Sequence, residues 1–285
     1  MTSPEPAAPE QPATPGRAGR NLPAAIAIGL TLGAIVLSTL YTFKPAFVVV
    51  ILAAILVGLW ELVHALRHQQ LFAPLIPLAV GTVAMIVLAY ADGREAMTVA
   101  MVLTVLAVVV WRAAEGAAGM LRDIGAGLLA LVYVPFLAGF CALMLAPSDG
   151  ARRVTAFIAT VVASDVGGYA LGVLVGKHLM APTVSPKKSW EGLLGSAVAC
   201  ALCGSILFVT LLHAAWWQGV LFGLATVCTA TLGDLGESMI KRDLGIKDMS
   251  NVLPGHGGLM DRLDSLLPTA PIAWLLLAAF VSIPK

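Results

Sequence analysis

Apolar residues fill most of this chain in long blocks separated by short polar breaks. The blocks fall at about 22–41, 45–65, 71–91, 95–111, 124–146, 154–176, 191–213, 216–233 and 265–282. Each approaches the ~20 residues that an α-helix needs to cross hydrocarbon. The pattern predicts an all-α polytopic membrane protein with about nine transmembrane helices. It lacks the short alternating strands of a membrane β-barrel. No repeat of fixed period is visible, so a transporter built from two matching halves finds no support.

Residues 1–21 break the pattern: they are rich in Pro, Ala and Glu with no apolar period. They read as a disordered tail rather than a signal peptide, because the charges are mixed and the first apolar run is too long. Residues 22–285 form the transmembrane domain. Composition agrees: of 285 residues 59% are hydrophobic and 12% charged, about half the charged fraction of an ordinary soluble domain. Mean hydropathy is +0.92, which excludes a water-soluble globular protein. Nothing in the charge pattern points to a nucleic-acid partner. Cys141, Cys200, Cys203 and Cys228 all lie inside apolar blocks; Cys200 and Cys203 have CxxC spacing, but without a second pair or a nearby His they read as small packing residues.

Orientation follows from counting Lys and Arg on the connections. With the N-terminus cytoplasmic, Arg17, Arg20, Arg67, Arg112, Arg122, Lys177, Lys187, Lys188, Lys241, Arg242, Lys247 and Arg262 share the inner side. Lys44, Arg94, Arg152, Arg153 and Lys285 share the other. The excess predicts a multi-pass protein of the cell (inner) membrane, with its N-terminus and its polar stretches cytoplasmic. Arg152 and Arg153 run against the trend.

Two polar segments adjoin spans on that inner side. The longer, 234–264, reads DLGESMIKRDLGIKDMSNVLPGHGGLMDRLD and holds six acids, two Lys, two Arg and one His. Charge at a membrane boundary is costly to place and usually has a job. If the eighth helix continues beyond its apolar block, Asp234, Ser238 and Lys241 share a face, with Glu237 at its edge. A carboxylate there suits a hard cation, and the ammonium suits a phosphate; the same residues could equally make a solvated helix face. Pro254-Gly255-His256-Gly257-Gly258 must be a turn, plain or with N–H groups aimed at an anion. Asp261 and Asp264 share the face of the next helix, unless Asp264 merely caps it.

The second segment, 164–192, contains Asp165 within an apolar block and Ser185-Pro186-Lys187-Lys188-Ser189-Trp190-Glu191-Gly192 beyond it. An acid inside the membrane is a functional candidate by default, whereas Trp190 is expected to belong to the interfacial belt. Gly172–His178 is one residue short of a P-loop, and the His stands where Ser or Thr is required. The histidines lack zinc-ligand spacing, and no GxSxG elbow is present. Glu61 in the second block is expected to meet a polar group of a neighbouring helix. The acids, bases and glycine turns together suit a metal-dependent reaction of phosphates, one of them on a lipid.

These residues also resemble a known family. Ser238-x-x-Lys241-Arg242, then Lys247-Asp248, then Pro254-x-His256-Gly257-Gly258-x-x-Asp261-Arg262-x-Asp264 resembles the signature of the phosphatidate cytidylyltransferases, or CDP-diacylglycerol synthases. Ser164-Asp165 and Ser185–Gly192 resemble that family's upstream motif. The first 150 residues agree only in being hydrophobic spans, and Val173 stands where many relatives carry Arg. The resemblance implies that CTP and phosphatidate become CDP-diacylglycerol and pyrophosphate, with Mg²⁺ and with or without a second cation. It implies metal binding by Asp234 and Asp261, and phosphate contacts from Lys241, Arg242, Lys247, Arg262 and the Lys187-Lys188 pair. Ser189 and Ser238 would donate hydrogen bonds. Asp165, Asp248, Gly257, Gly258 and Asp264 would complete the substrate site. His256 would either orient a phosphate or activate the attacking oxygen. Membrane enzymes of this kind are often dimers, so a homodimer is expected. The competing expectation is a secondary transporter or lipid flippase coupled through Asp165 and Glu61. A CDP-alcohol phosphotransferase is disfavoured, since Asp92-Gly93-Arg94-Glu95-Ala96-Met97 departs from the required motif.

Overall fold

A computed structural model describes residues 22–250, 252 and 257–282, with the side chains of 22–28 and 187 outside the description. The N-terminal tail and His256 therefore lie outside the described residues. Helices α1 (Leu22–Thr42), α2 (Lys44–Leu66), α3 (Leu75–Ala91), α4 (Arg94–Glu115), α5 (Met120–Leu131) and α6 (Leu137–Leu145) make the first part. After them come α7 (Gly150–Val175), strands β1 (Leu179–Ala181) and β2 (Ser185–Ser189), α8 (Trp190–Thr210), α9 (Trp216–Asp243), α10 (Met260–Leu263) and α11 (Leu266–Phe280).

Among the described residues seven helical spans are long and apolar enough to cross a membrane. Leu75–Ala91 and Gly29–Thr42 are shorter apolar helices. One span, Met120–Leu145, consists of α5 and α6 joined through a π turn at Val132–Phe136 that contains Pro135. Proline lacks the N–H for the helical ladder and clashes with the carbonyl a turn earlier, so a locally widened turn accommodates it. The expected block ends shift by a few residues. The largest shift is in α9, which runs on to Asp243 instead of stopping near 233. A small antiparallel pair, β1 with β2, interrupts the otherwise helical chain.

The packing has two parts. Helices α7, α8 and α9 lie against one another, while α2, α3, α6 and α11 form the neighbouring group, with α11 touching both α9 and α6. Small residues set the closeness of the first group. An added Cβ at Gly204 would stand 2.3 Å from the Gly219 carbonyl oxygen, and one at Gly219 would stand 2.3 Å from that of Gly204. Such backbone approach is how helices gain dispersion contact where hydrocarbon removes the hydrophobic drive. Cys200, fully buried, points its Sγ at the Thr160 carbonyl, 3.2 Å away across α7 and α8, and all four cysteines are free. Cys200 packs as expected and Cys141 and Cys203 are half-buried, whereas Cys228 is exposed on the bundle surface. Outside the bundle, Leu194, Val198, Leu202 and Ile206 on α8 form an exposed apolar stripe.

The two ends of the bundle differ. At one, Lys44 donates to the Pro147 and Ser148 carbonyls. There Arg153 is buried, pairs with Asp149 at 2.9 Å, and donates to the carbonyls of Leu277 (3.1 Å) and Val281 (2.9 Å). Arg153 thus occupies the C-terminal carbonyls of α11, a favourable place for a cation. That structural duty accounts for one of the two arginines that oppose the charge bias. At the other end Gln69 donates to the Asp243 carbonyl (3.1 Å), and Arg112 pairs with buried Asp123 (2.9 Å), which also accepts from the Phe72 N–H (3.0 Å). The second end carries the polar segments.

Candidate active site

Helix α9 brings Asp234, Glu237, Ser238 and Lys241 out of its apolar stretch in successive turns. It can do so against α10 and α11 because residue 233 is glycine: an added Cβ there would meet the Asp264 carbonyl oxygen at 2.4 Å and the Pro268 ring at 2.8 Å. Thr229 and Thr269 hydroxyls, 3.0 Å apart, join the same two elements a turn deeper. The consequence is that Asp234 and Asp264 lie in one electrostatic field, which Lys241 and Asp165 share.

The 164–192 segment closes over this face. A cavity of about 330 Å³ is lined by Asp165, Gly172, Lys188, Ser189, Thr231 and Asp234, among others. Lys188 Nζ sits 2.5 Å from Asp234 Oδ2, and Ser238 Oγ is 3.4 Å from Asp234 Oδ1. The two polar segments do meet, although some seventy residues separate Asp165 from Asp234. Asp165 also feels the charges of Lys188 and Arg262. Ser189, buried, caps α8 by accepting the Gly192 N–H at 3.1 Å. The hairpin is held by Glu191, which accepts from the N–H groups of Lys177 and His178 (3.2 Å each) and faces His178 Nδ1 at 2.6 Å.

Of the glycine turn, Gly257 and Gly258 are described, and the anion that an N–H meets there belongs to the protein itself. Gly257 has φ +82°, a left-handed conformation suited to glycine. The Gly258 N–H points at a carboxylate of the protein itself, Asp261 Oδ2, at 2.8 Å, and Met249 N–H reaches the same oxygen at 3.1 Å. Asp261 Oδ1 receives Lys241 Nζ at 2.7 Å. Lys241 is also 3.3 Å from Glu237 Oε1. Glu237 is fully buried, and apart from that ion pair neither carboxylate oxygen is hydrogen-bonded among the described residues; the buried Tyr133 hydroxyl, on the π turn, likewise has no hydrogen bond there. Tyr133 lies in the field of Glu237, Asp264 and Asp234.

The remaining expected residues scatter more. Asp264 Oδ1 accepts the N–H of Ser265 at 2.6 Å, so the carboxylate holds the start of α11 while facing the cluster. Arg242 is exposed and reaches the Val184 carbonyl of the hairpin at 3.4 Å, outside the cavity lining. Lys247 and Asp248 are exposed on the loop; Asp248 Oδ1 would stand 3.7 Å from a Cβ at Gly257. Lys187 lies on β2, its side chain outside the description.

Asp234 and Asp261 can be judged as metal ligands by donor chemistry. Among the described residues no three His, Cys, Asp or Glu side chains form a group that could hold an ion. Mg²⁺ needs no such cage, since one or two carboxylates with substrate phosphates complete its shell. Asp234 is 32% exposed toward the cavity and Asp261 is 8% exposed, each neutralised by a lysine. Oxygen donors held by exchangeable ammonium groups fit a hard cation arriving with a polyphosphate.

Comparison with known proteins decides the kinship. The family described as "Cytidylyltransferase family" matches residues 23–280. A Mycobacterium leprae protein named phosphatidate cytidylyltransferase is 45% identical over 278 residues, covering 92% of this chain and 89% of its own. The chain belongs to the cytidylyltransferase family. Proteins of the same name from Mycobacterium tuberculosis and Pseudomonas aeruginosa are 42% and 34% identical, over 94% and 89% of this chain and 86% and 96% of theirs. The resemblance on the C-terminal motif thus extends through the first 150 residues.

In this cytidylyltransferase the motif alone did not single out Glu237, Tyr133 or the role of Glu61. Glu237 carried a signal, since it lies one turn before Lys241. Tyr133 carried none, because its position depends on a turn that only packing reveals.

Proposed function

We propose that this membrane protein transfers the cytidylyl group of CTP to phosphatidate, releasing pyrophosphate and forming CDP-diacylglycerol. One observation carries the proposal: a cavity at the polar end of an apolar bundle is edged by the Lys188–Asp234 pair, with the Lys241–Asp261 pair behind it. Two polyanions must meet there. A phosphatidate oxygen forms a new bond to the α-phosphorus of CTP, and the bond to the β-phosphate oxygen breaks, its electron pair leaving with pyrophosphate. A phosphomonoester is largely ionised at pH 7, so no strong base is needed.

Lys188 and Lys241 would turn from their carboxylates to the phosphates, with Arg262 in the same field and Arg242 and Lys247 at the entrance. Ser189 and Ser238 would supply hydroxyl donors. Asp234 and Asp261 would then be free to hold Mg²⁺, alone or with a second cation, and Asp264 lies beside them. Bound there, Mg²⁺ would lower the repulsion between substrates and stabilise charge on the departing pyrophosphate. The site would face the cytoplasm, where CTP is found, in the cell membrane. The exposed apolar stripe of α8 offers a surface for a second copy, so a homodimer belongs to this proposal.

Detergent-purified protein given α-labelled CTP, phosphatidate and Mg²⁺ should put label into a lipid-soluble product, with one pyrophosphate released per product. Both should vanish without Mg²⁺ or phosphatidate. Absence of labelled lipid under all conditions, with phosphatidate instead crossing a sealed bilayer, would replace this proposal by transport.

A further inference from the structure

Glu61 is fully buried in α2, one turn from the end that carries the site, among Leu59, Leu62 and Val63. A carboxylate in that setting requires donors. It finds them on one loop nearly two hundred residues later. Oε1 accepts the Ser250 hydroxyl at 2.5 Å and the Leu259 N–H at 3.0 Å; Oε2 accepts the Met260 N–H at 2.7 Å. Leu259 caps α10 and Met260 opens it, so neither N–H has a partner within the helix itself.

The same loop is gripped from its other side by Asp261, through the N–H groups of Gly258 and Met249. A Cβ at Gly258 would stand 3.0 Å from both Asp261 Oδ2 and Glu61 Oε2. Residues 258–260 therefore run between two carboxylates, one directed at Lys241 and the other embedded in α2. Glu61 has no place in the cavity lining. Its effect on the reacting groups passes through the backbone.

We propose that Glu61 is a positioning residue of the transfer reaction: it fixes Ser250 and the backbone of 258–260 at the start of α10, and so sets the direction of the Asp261 carboxylate. The proposal rests on the activity argued above. It also assigns a part in the site to the segment of the chain where the signature motif is absent. Because Glu61 does not line the cavity, its loss should lower kcat while leaving the KM for CTP within about threefold, since Lys188 and the hairpin are untouched.

The test uses the full-length protein in detergent, with Glu61→Gln and Glu61→Ala. Glutamine keeps the length but has a single acceptor oxygen, so one loop N–H loses its partner; kcat should fall about 10-fold, the value of one such bond. Alanine releases the loop and should lower kcat about 10²-fold, the scale of an ångström-sized misplacement. Hydrogen exchange, read without substrates, should speed up at 257–260 in both variants and stay unchanged in α3 and α8. The proposal falls if Glu61→Ala keeps kcat within twofold. It also falls if exchange rises throughout α2 and α3 in step with a lowered Tm, the mark of a merely structural residue. Where Glu61→Ala fails to accumulate, Glu61→Gln decides: unaltered exchange at 257–260 overturns the proposal. The exchange result stands even if the wild-type protein shows no cytidylyl transfer, so the two failures are distinguishable.

Discussion

Asp261 makes three bonds at the site: Lys241 on one oxygen, two backbone N–H groups on the other. Asp261→Asn keeps the shape and an acceptor for the loop but removes the charge. The expected outcome is a loss of about 10²-fold or more in kcat, as for removal of one electrostatic stabiliser, with the protein still inserted and its Tm little changed. Cytidylyl transfer at saturating Mg²⁺ measures it; near-full activity would remove Asp261 from the site. At this scale the sequence indicated which side chains gather at the polar end and said little about whom they touch. Side-chain types and spacing along α9 named Asp234, Ser238 and Lys241. The division of labour, Lys188 on Asp234 and Lys241 on Asp261, depends on contacts across the bundle that no local pattern encodes. The glycine turn shows the same limit: its composition announced free N–H groups, and only the fold shows that a neighbouring aspartate takes one.

Among the elements, α9 is the one whose continuation decides the site. Hydropathy ends near residue 233, while backbone hydrogen bonding continues for ten residues more. Lys241 would otherwise sit on a loose connection. The π turn in Met120–Leu145 was illegible for the opposite reason: the block stays apolar throughout, and Pro135 alone does not say whether a helix kinks, breaks or widens. The α8–α9 contact makes a sharp prediction. Gly219→Leu would drive a side chain into the Gly204 carbonyl, which is backbone and cannot turn aside. Overpacking of this kind costs roughly 1–3 kcal/mol, so a Tm lowered by several degrees in detergent is expected, together with reduced activity, because β2, which carries Lys188, runs directly into α8. An unchanged Tm would mean that α8 and α9 are held apart.

For the molecule as a whole, the ends of the bundle predict opposite exposure. Lys177 adjoins the hairpin, and exposed Arg152 lies in the first turn of α7, at the opposite end. A cysteine replacing Arg152 should react with a membrane-impermeant maleimide in intact cells, and one replacing Lys177 only after the membrane is opened. The reverse result would turn the site outward, away from CTP. The all-helical, polytopic architecture was legible in the apolar blocks, since hydrocarbon leaves the backbone little choice but helix. Their arrangement was not, because apolar faces in lipid carry almost no directional information. Glycines and buried polar contacts supply it instead.

The Glu61 clasp also has a consequence in time. During synthesis the acceptor in α2 is made 189 residues before Ser250 and 199 before Met260. Throughout that interval the second span holds an acid without its donors, and only the closing stretch of translation completes the pocket around it. A polypeptide cut short anywhere before residue 250 would thus be both inert and conspicuous, carrying a solvent-seeking group in its membrane portion that proofreading proteases can find.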